Sequence, residues 1–264
     1  MARNSLKNVI RLIDISNESR PVEQCFLTDL KRSIEIEDEK GSRIPSKTYK
    51  PSSMQCIRNM YYQRIGKIPD ESCSSYVLVG ICNSGTDIHE RIQKAVVNMK
   101  NTGMDCEYVD VGQFVKERNL DYLEIVSKNG METKLFHKNL IMSFLCDGII
   151  RYKGRYYILE LKTETSNKFW SRKDVDPKHY DQATAYSIAF GIDEVLFVYI
   201  SRDTLDMKSF LFTATSERKQ ELVGRIENCE DYIRRLQVPP KPAEMIKSVC
   251  QYCNYKQSCK KEIV

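Results

Sequence analysis

From residue 84 onward the apolar positions fall into blocks whose repeat switches between the helical and the extended spacing. After Ser84-Gly85-Thr86, the residues Ile88, Ile92, Ala95, Val96 and Met99 recur on one helical face, so a helix is expected to start there. Residues 141–152 and 155–163 read as two strands joined by a Lys153-Gly154 turn, a hairpin. A helix over 179–190 ends at Gly191, strands follow at 193–200 and 208–215, and 217–236 reads as a long polar helix. Upstream, Pro51-Ser52-Ser53 precedes a helical pattern over 54–65 that stops at Gly66, which reads as a serine-capped helix with Cys56 in its first turn.

Residues 1–50 alternate short helix-like and polar pieces, with a charged stretch over 35–40 and a Gly41-Ser42-Arg43-Ile44-Pro45-Ser46 connector. They read as a peripheral segment leading into one domain over 51–264. Val238-Pro239-Pro240-Lys241-Pro242 is a rigid connector before a cysteine-bearing tail.

Composition narrows the class. The 264 residues are 41% apolar, with 11 Gly and 8 Pro, which suits a globular chain with a full core and excludes a fibrous or low-complexity one. No stretch reaches the roughly 18 consecutive apolar residues of a membrane span. Met1-Ala2-Arg3-Asn4-Ser5-Leu6-Lys7 has no apolar leader pattern, so a cytoplasmic setting without membrane attachment is expected. The net charge of +5 permits a nucleic-acid partner without requiring one. Ten cysteines in a reducing compartment point to metal ligation or catalysis rather than disulfides, and three of them sit close together at the C-terminal end.

The hairpin carries the first candidate chemistry. Asp147 lies in its first strand and Glu160-Leu161-Lys162 in the second, where the two-residue period puts Glu160 and Lys162 on one face and Leu159 and Leu161 on the other. Two carboxylates held together across neighbouring strands call for a neutralising cation, and hard oxygen ligands suit Mg²⁺ or Mn²⁺. A lysine beside them can orient a metal-activated water or stabilise charge on a phosphate. The same acid-x-Lys spacing recurs at Asp29/Lys31, Glu132/Lys134 and Asp206/Lys208, where it reads as solvated surface charge. What sets Glu160 apart is the apolar run Tyr156-Tyr157-Ile158-Leu159 before it. His89 follows Gly85 by one helical turn, and Gln182 and Tyr186 are four apart on one helical face. Taken singly, each of these is also compatible with an ordinary partly buried polar side chain.

Together, Gly-x-x-x-His on a helix, an Asp, Glu-x-Lys on a hairpin and Gln-x-x-x-Tyr on the next helix resemble, in this order, the PD-(D/E)xK nucleases of the RecB branch. The resemblance spans about residues 50–260, with Cys146 where the family often has proline. It implies an α/β fold of the restriction-endonuclease-like kind, a mixed sheet flanked by helices. It further implies that His89, Asp147 and Glu160, with the backbone carbonyl of Leu161, ligate the divalent metal. Lys162 would then act on the attacking water, with Gln182 and Tyr186 supporting the site and touching the DNA backbone.

The cysteines add a second resemblance. Cys250-x-x-Cys253-x5-Cys259 offers three thiolates where a tetrahedral soft-metal site wants four, and zinc is the generic occupant of such a motif. Cys56, in Cys56-Ile57-Arg58-Asn59-Met60-Tyr61-Tyr62, resembles the first ligand of the iron–sulfur nucleases related to AddB, the Dna-two nuclease–helicase and the Cas-four type CRISPR exonucleases, although Ile57 stands where a proline often follows. The implied cofactor is a four-iron four-sulfur cluster on Cys56, Cys250, Cys253 and Cys259, clasping the C-terminal tail to an N-terminal helix. Cys25, Cys73, Cys82, Cys106, Cys146 and Cys229 are left as core or surface thiols.

Lys168-Phe169-Trp170-Ser171-Arg172-Lys173 mixes cations with aromatics and is a candidate for holding a nucleic-acid strand, or else a solvated loop with Trp170 in the core. The expected activity is that of a Mg²⁺- or Mn²⁺-dependent deoxyribonuclease, an exonuclease on single-stranded DNA ends in repair, recombination or phage DNA processing, in a bacterium or in the host cytoplasm if phage-encoded. An endonuclease of the same fold and a non-catalytic DNA-binding or assembly subunit are the alternatives. No GxxxxGK[ST] phosphate loop occurs, so ATP-driven unwinding would come from a helicase or recombination partner.

Overall fold

The computed structural model describes residues 21–40, 45–70, 75–129, 131–241, 247–251 and 253–262. The N-terminal Met1–Lys7 stretch, Gly41–Ile44 of the first connector, Cys73 and Pro242 lie outside the described residues. The chain divides into two compact units, one of residues 1–42 and 72–83, the other of 43–71 and 84–264. In the first unit, helix α1 (Val22–Lys40) carries Glu35, whose carboxylate accepts from the Tyr76 amide at 3.2 Å, and Lys31, whose ammonium sits 4.7 Å from the Tyr76 ring centre.

In the second unit a 3₁₀ turn (Pro51–Ser53) leads into α2 (Ile57–Arg64), and α3 (Tyr76–Asn98) contributes its part from Ser84 onward. There follow β1 (Cys106–Val109), α4 (Val111–Glu117), β2 (Leu123–Asn129), β3 (Glu132–His137), β4 (Met142–Cys146), β5 (Gly148–Tyr152) and β6 (Arg155–Glu164). Then come α5 (Ser166–Ser171), a 3₁₀ turn (Pro177–His179), α6 (Tyr180–Phe190), β7 (Glu194–Ser201), β8 (Met207–Thr213), α7 (Ser216–Arg234), α8 (Lys247–Cys250) and α9 (Lys256–Lys261).

The strands form a five-stranded sheet in the order β1-β5-β6-β7-β8 and a three-stranded antiparallel sheet β2-β3-β4. Among the described strands only β6 and β7 form a parallel ladder, with α5 and α6 in the crossover between them, and Tyr49 adds a single parallel bridge to Met142. The expected mixed sheet flanked by helices is therefore present. Its period-two alternation is what covers both faces: Leu159 and Leu161 of β6 pack with Ile88, Ile92, Val96 and Met99 of α3. Ile158, Val195, Phe197 and Tyr199 face the other way, into the larger core with Ala183, Ala185, Tyr186 and Ala189 of α6.

Several local expectations are corrected. The run over 141–152 is not one strand: β4 belongs to the small sheet and β5 to the large one, and Asp147 is the residue at which the chain passes between them. Two sheets pairing on opposite sides of this point require a break in the ladder, and beside it Gly148 leaves room for the Tyr108 ring, whose Cε2 a Cβ would meet at 2.6 Å. α3 does not start after Gly85 but runs through it, and a Cβ there would meet Thr163 Oγ1 of β6 only at an ordinary contact distance of 3.4 Å. No serine side chain caps α2; Cys56, in extended conformation, is its N-cap, with the 3₁₀ turn before it. Gly66 and Gly191 do adopt the left-handed conformation, at φ 73 and 65, that ends a helix.

Candidate active site

The β4–β5 break, β6, α3 and α6 aim their polar side chains into one cavity of about 560 Å³. Asp147 is held there from three sides. Its Oδ2 accepts from the Leu161 amide at 2.7 Å, while its carbonyl accepts from Gln93 Nε2 at 2.7 Å and from the Tyr108 hydroxyl at 3.3 Å. His89 Nδ1 stands 3.4 Å from Asp147 Oδ1.

Glu160 is 3% exposed, and its Oε1 accepts from Lys162 Nζ at 2.6 Å and Gln182 Nε2 at 2.7 Å. Lys162 Nζ also donates to Gln182 Oε1 at 3.1 Å. The Gln182 amide reaches the Tyr186 hydroxyl at 2.9 Å, which donates in turn to the Leu145 carbonyl at 2.7 Å. The i,i+4 spacing of Gln182 and Tyr186 thus locks the acid and the lysine of β6 to α6 and to the end of β4.

Electrostatics follow from burial. The Glu160 carboxyl is pushed up to about 7 by desolvation, with the Asp147 charge adding to this and Lys162 opposing it. Burial works against the His89 imidazolium, but the hydrogen bond and charge of Asp147 outweigh it, so His89 holds its proton more tightly than usual. Glu132 is also raised, by burial and then by Asp147. Such a group gains from a divalent cation in place of its protons. Among the described residues, one ligand atom each of His89, Glu132 and Asp147 lie within 4.8 Å of one another.

The six side chains singled out by sequence, His89, Asp147, Glu160, Lys162, Gln182 and Tyr186, all line this cavity. The Leu161 side chain is buried on the opposite face with α3, and its backbone amide is what meets Asp147. Sequence reasoning missed Glu132 and Lys134, set aside as solvated charge, which β3 delivers to the same cavity. Asn129-Gly130, a hairpin-turn dipeptide, was the available signal that a strand begins there.

In the 168–173 segment the placement of Trp170 in the core is corrected. Phe169, not Trp170, enters the core, at 1% against 59% exposed. Arg172 is engaged internally: Nε and Nη2 each meet a Glu164 oxygen at 2.7 Å, and the guanidinium lies 4.2 Å from the Tyr199 ring centre.

A second constellation lies at the chain's end. Cys56, Cys250, Cys253 and Cys259 line one cavity of about 190 Å³ together with Arg58, Tyr62 and Tyr255. Asp70 fixes α9 by accepting from the Gln257 amide at 2.5 Å and from the Ser258 hydroxyl at 2.6 Å. Burial raises the Cys253 thiol, and the other three cysteines add to the effect. Arg58 is 1% exposed, its Nη1 is 3.6 Å from Cys259 Sγ, and its Nε and Nη2 have no hydrogen-bond partner. Of the remaining cysteines, Cys106, Cys146 and Cys229 are buried and Cys82 is exposed.

No family model matches the chain, and no curated protein does. Among solved structures, SSO0001 aligns at 15% identity over 90% of this chain and 98% of its own, with a TM-score of 0.45. LHK-Exo, an alkaline exonuclease from Laribacter hongkongensis, aligns at 14% identity over 73% of this chain and 92% of its own, TM-score 0.44. The same enzyme in complex with dAMP aligns at 14% identity over 72% and 91%, TM-score 0.43. No helix of the described residues is long and apolar enough to cross a membrane.

Proposed function

We propose that this chain is a divalent-metal-dependent deoxyribonuclease of the RecB branch of the PD-(D/E)xK nucleases, acting as an exonuclease on single-stranded ends, with its nuclease domain over 51–264. The observation that carries this reading is the convergence in one cavity of Asp147, the Glu160/Lys162 pair, His89 and the Gln182–Tyr186 couple, from four separate elements. His89, Asp147 and Glu160 are the residues that would hold Mg²⁺ or Mn²⁺, joined by Glu132. In an extended strand the amide and carbonyl of one residue point to the same side, and the Leu161 amide points at Asp147. The Leu161 carbonyl is thereby available on that side. The imidazole in an otherwise oxygen set tilts the preference toward Mn²⁺.

When bound, the cation lowers the pKa of a coordinated water toward neutrality and polarises the phosphoryl oxygen. The chain supplies the rest. Lys162, fixed between Glu160 and Gln182, holds the attacking water and offsets the charge that builds on the phosphate. Gln182 orients Glu160, and Tyr186, anchored on the Leu145 carbonyl, orients Gln182. Attack breaks one P–O bond and leaves a phosphate on one fragment and a hydroxyl on the other.

Cys56, Cys250, Cys253 and Cys259 would hold a four-iron four-sulfur cluster. The four thiols share one cavity, and at its wall stands the buried Arg58 guanidinium, whose Nε has no hydrogen-bond partner and whose Nη2 meets only Glu262 at 3.8 Å, a setting that suits an anionic occupant such as a thiolate-bound cluster. Its role is a clasp joining α2 to the C-terminal segment. Anaerobic protein carrying iron with broad absorbance in the blue is expected; zinc without iron contradicts the assignment.

Linear and covalently closed single-stranded DNA, incubated with Mn²⁺, separate the readings of the activity. An exonuclease degrades the linear strand alone and is silenced by Asp147→Asn. Scission of the circle makes it an endonuclease.

A further inference from the structure

The small sheet brings a second acid-x-Lys pair to the active-site cavity. Glu132 and Lys134 are two apart on β3, so they share a face, and both line the same cavity as Glu160 and Lys162. Directly across the ladder from Lys134 is Leu145, half exposed at 51% and also on the cavity wall. From another part of the chain, Lys50, just before the 3₁₀ turn, reaches the same wall.

These two lysines differ from the rest of the site in their charge environment. Lys162, the lysine of the catalytic strand, is already held by Glu160 at 2.6 Å. Among the described residues, neither Lys50 nor Lys134 is in an ion pair, and both are exposed. Apart from these two lysines, the charged groups lining the cavity are three carboxylates against one lysine and one histidine. A polyanion entering it meets repulsion from Glu132, Asp147 and Glu160 that a metal offsets only at the reacting phosphate. The flanking phosphates need cations of their own, placed at the wall and not already neutralised.

Resting on the nuclease reading above, we propose that Lys134 and Lys50 grip backbone phosphates of the substrate strand beside the scissile one, with Leu145 as the apolar surface for the adjoining sugar or base. An exposed aliphatic next to an unpaired cation suits a single strand, whose sugar and base faces are open, better than a duplex. The three-stranded sheet is then a substrate-positioning element, and Glu132-x-Lys134 sets one end of it on the metal side and the other on the phosphate side.

The test is binding of a fluorescent single-stranded oligonucleotide as a function of salt, in the Lys162→Ala background with Mn²⁺ so that no cleavage intervenes. Each phosphate that the protein ceases to neutralise lowers the slope of log affinity against log salt by about 0.7 for a single strand. Lys134→Ala and Lys50→Ala are each expected to lower it by about that amount, the pair by about 1.4, and Lys134→Arg to keep it. In the otherwise unaltered enzyme, Lys134→Ala raises KM more than it lowers kcat. An unchanged slope in the double variant, with DNA still cleaved by the unaltered protein, overturns this inference alone. Failure of the unaltered, metal-loaded protein to bind or cut any DNA overturns the nuclease reading beneath it.

Discussion

Arg172→Ala removes a guanidinium whose side chain is 7% exposed and which makes two 2.7 Å bonds to Glu164, itself 6% exposed. The substitution strands a buried carboxylate whose nearest remaining cation, Lys168, is 3.9 Å away, and it takes the cationic face off Tyr199. Deleting one partner of a buried pair costs about 3–5 kcal/mol, and the residual Lys168 contact places this case near 3. At 2–4 °C per kcal/mol for a domain of this size, Tm falls by roughly 10 °C. Thermal unfolding followed by circular dichroism measures it, and Arg172→Met with Glu164→Leu, which removes both charges, is expected to recover most of the loss. Because Arg172 is spent on Glu164, Arg172→Ala leaves the salt slope of DNA binding unchanged. A Tm change under about 2 °C would mean that the Arg172–Glu164 pair contributes little, and a slope lowered by about 0.7 would place Arg172 on a phosphate of the bound DNA.

Three further outcomes follow from the same structure. His179 is pushed down to about 2, by burial and then by Lys162 and Lys178, against 6.5 in the unfolded chain. The unfolded state therefore takes up the proton that the folded state refuses, and stability falls as pH drops below 6.5; His179→Phe, which keeps the stack on Phe197, should lose about 1–2 kcal/mol less than the parent between pH 7 and pH 5 in urea unfolding. Gly148→Ala forces the Tyr108 ring aside, and since the Tyr108 hydroxyl donates to Met131 at 2.9 Å and to the Asp147 carbonyl, it should cost about 1–3 kcal/mol and lower kcat, both measurable on one preparation. Cys56→Ser should release the iron and, by opening a long loop closure, cost up to about 5 kcal/mol in the anaerobic protein, read from iron content and denaturant midpoint.

What the sequence discloses is what short-range physics dictates. Gly191 can take φ 65 and a following strand is apolar, so α6 and β7 are legible to within a residue or so. Glu160 and Lys162 are legible because a charge two residues from a buried Ile158 has only one face to occupy. The division of 141–152 at Asp147 is not legible, because both halves are equally apolar and only the partner strands, β3 and β1 with β6, decide which sheet each joins. Gly85 reads as a helix boundary by propensity, whereas the helix runs through it, its cost in propensity absorbed by the packing of the flanking turns. Glu132 and Lys134 look like any solvated pair until the small sheet folds over the cavity, and Arg172 looks like a surface cation until Glu164 is brought beneath it.

The proposed activity is phosphodiester hydrolysis at Lys162 and its carboxylates. Single-stranded DNA labelled separately at each end, incubated with Mg²⁺ or Mn²⁺, should lose label progressively with the unaltered protein and not with Lys162→Ala. No cleavage by either protein, with iron in the cysteine cavity and DNA still bound, would contradict the catalytic assignment and leave a DNA-binding subunit built on the same fold.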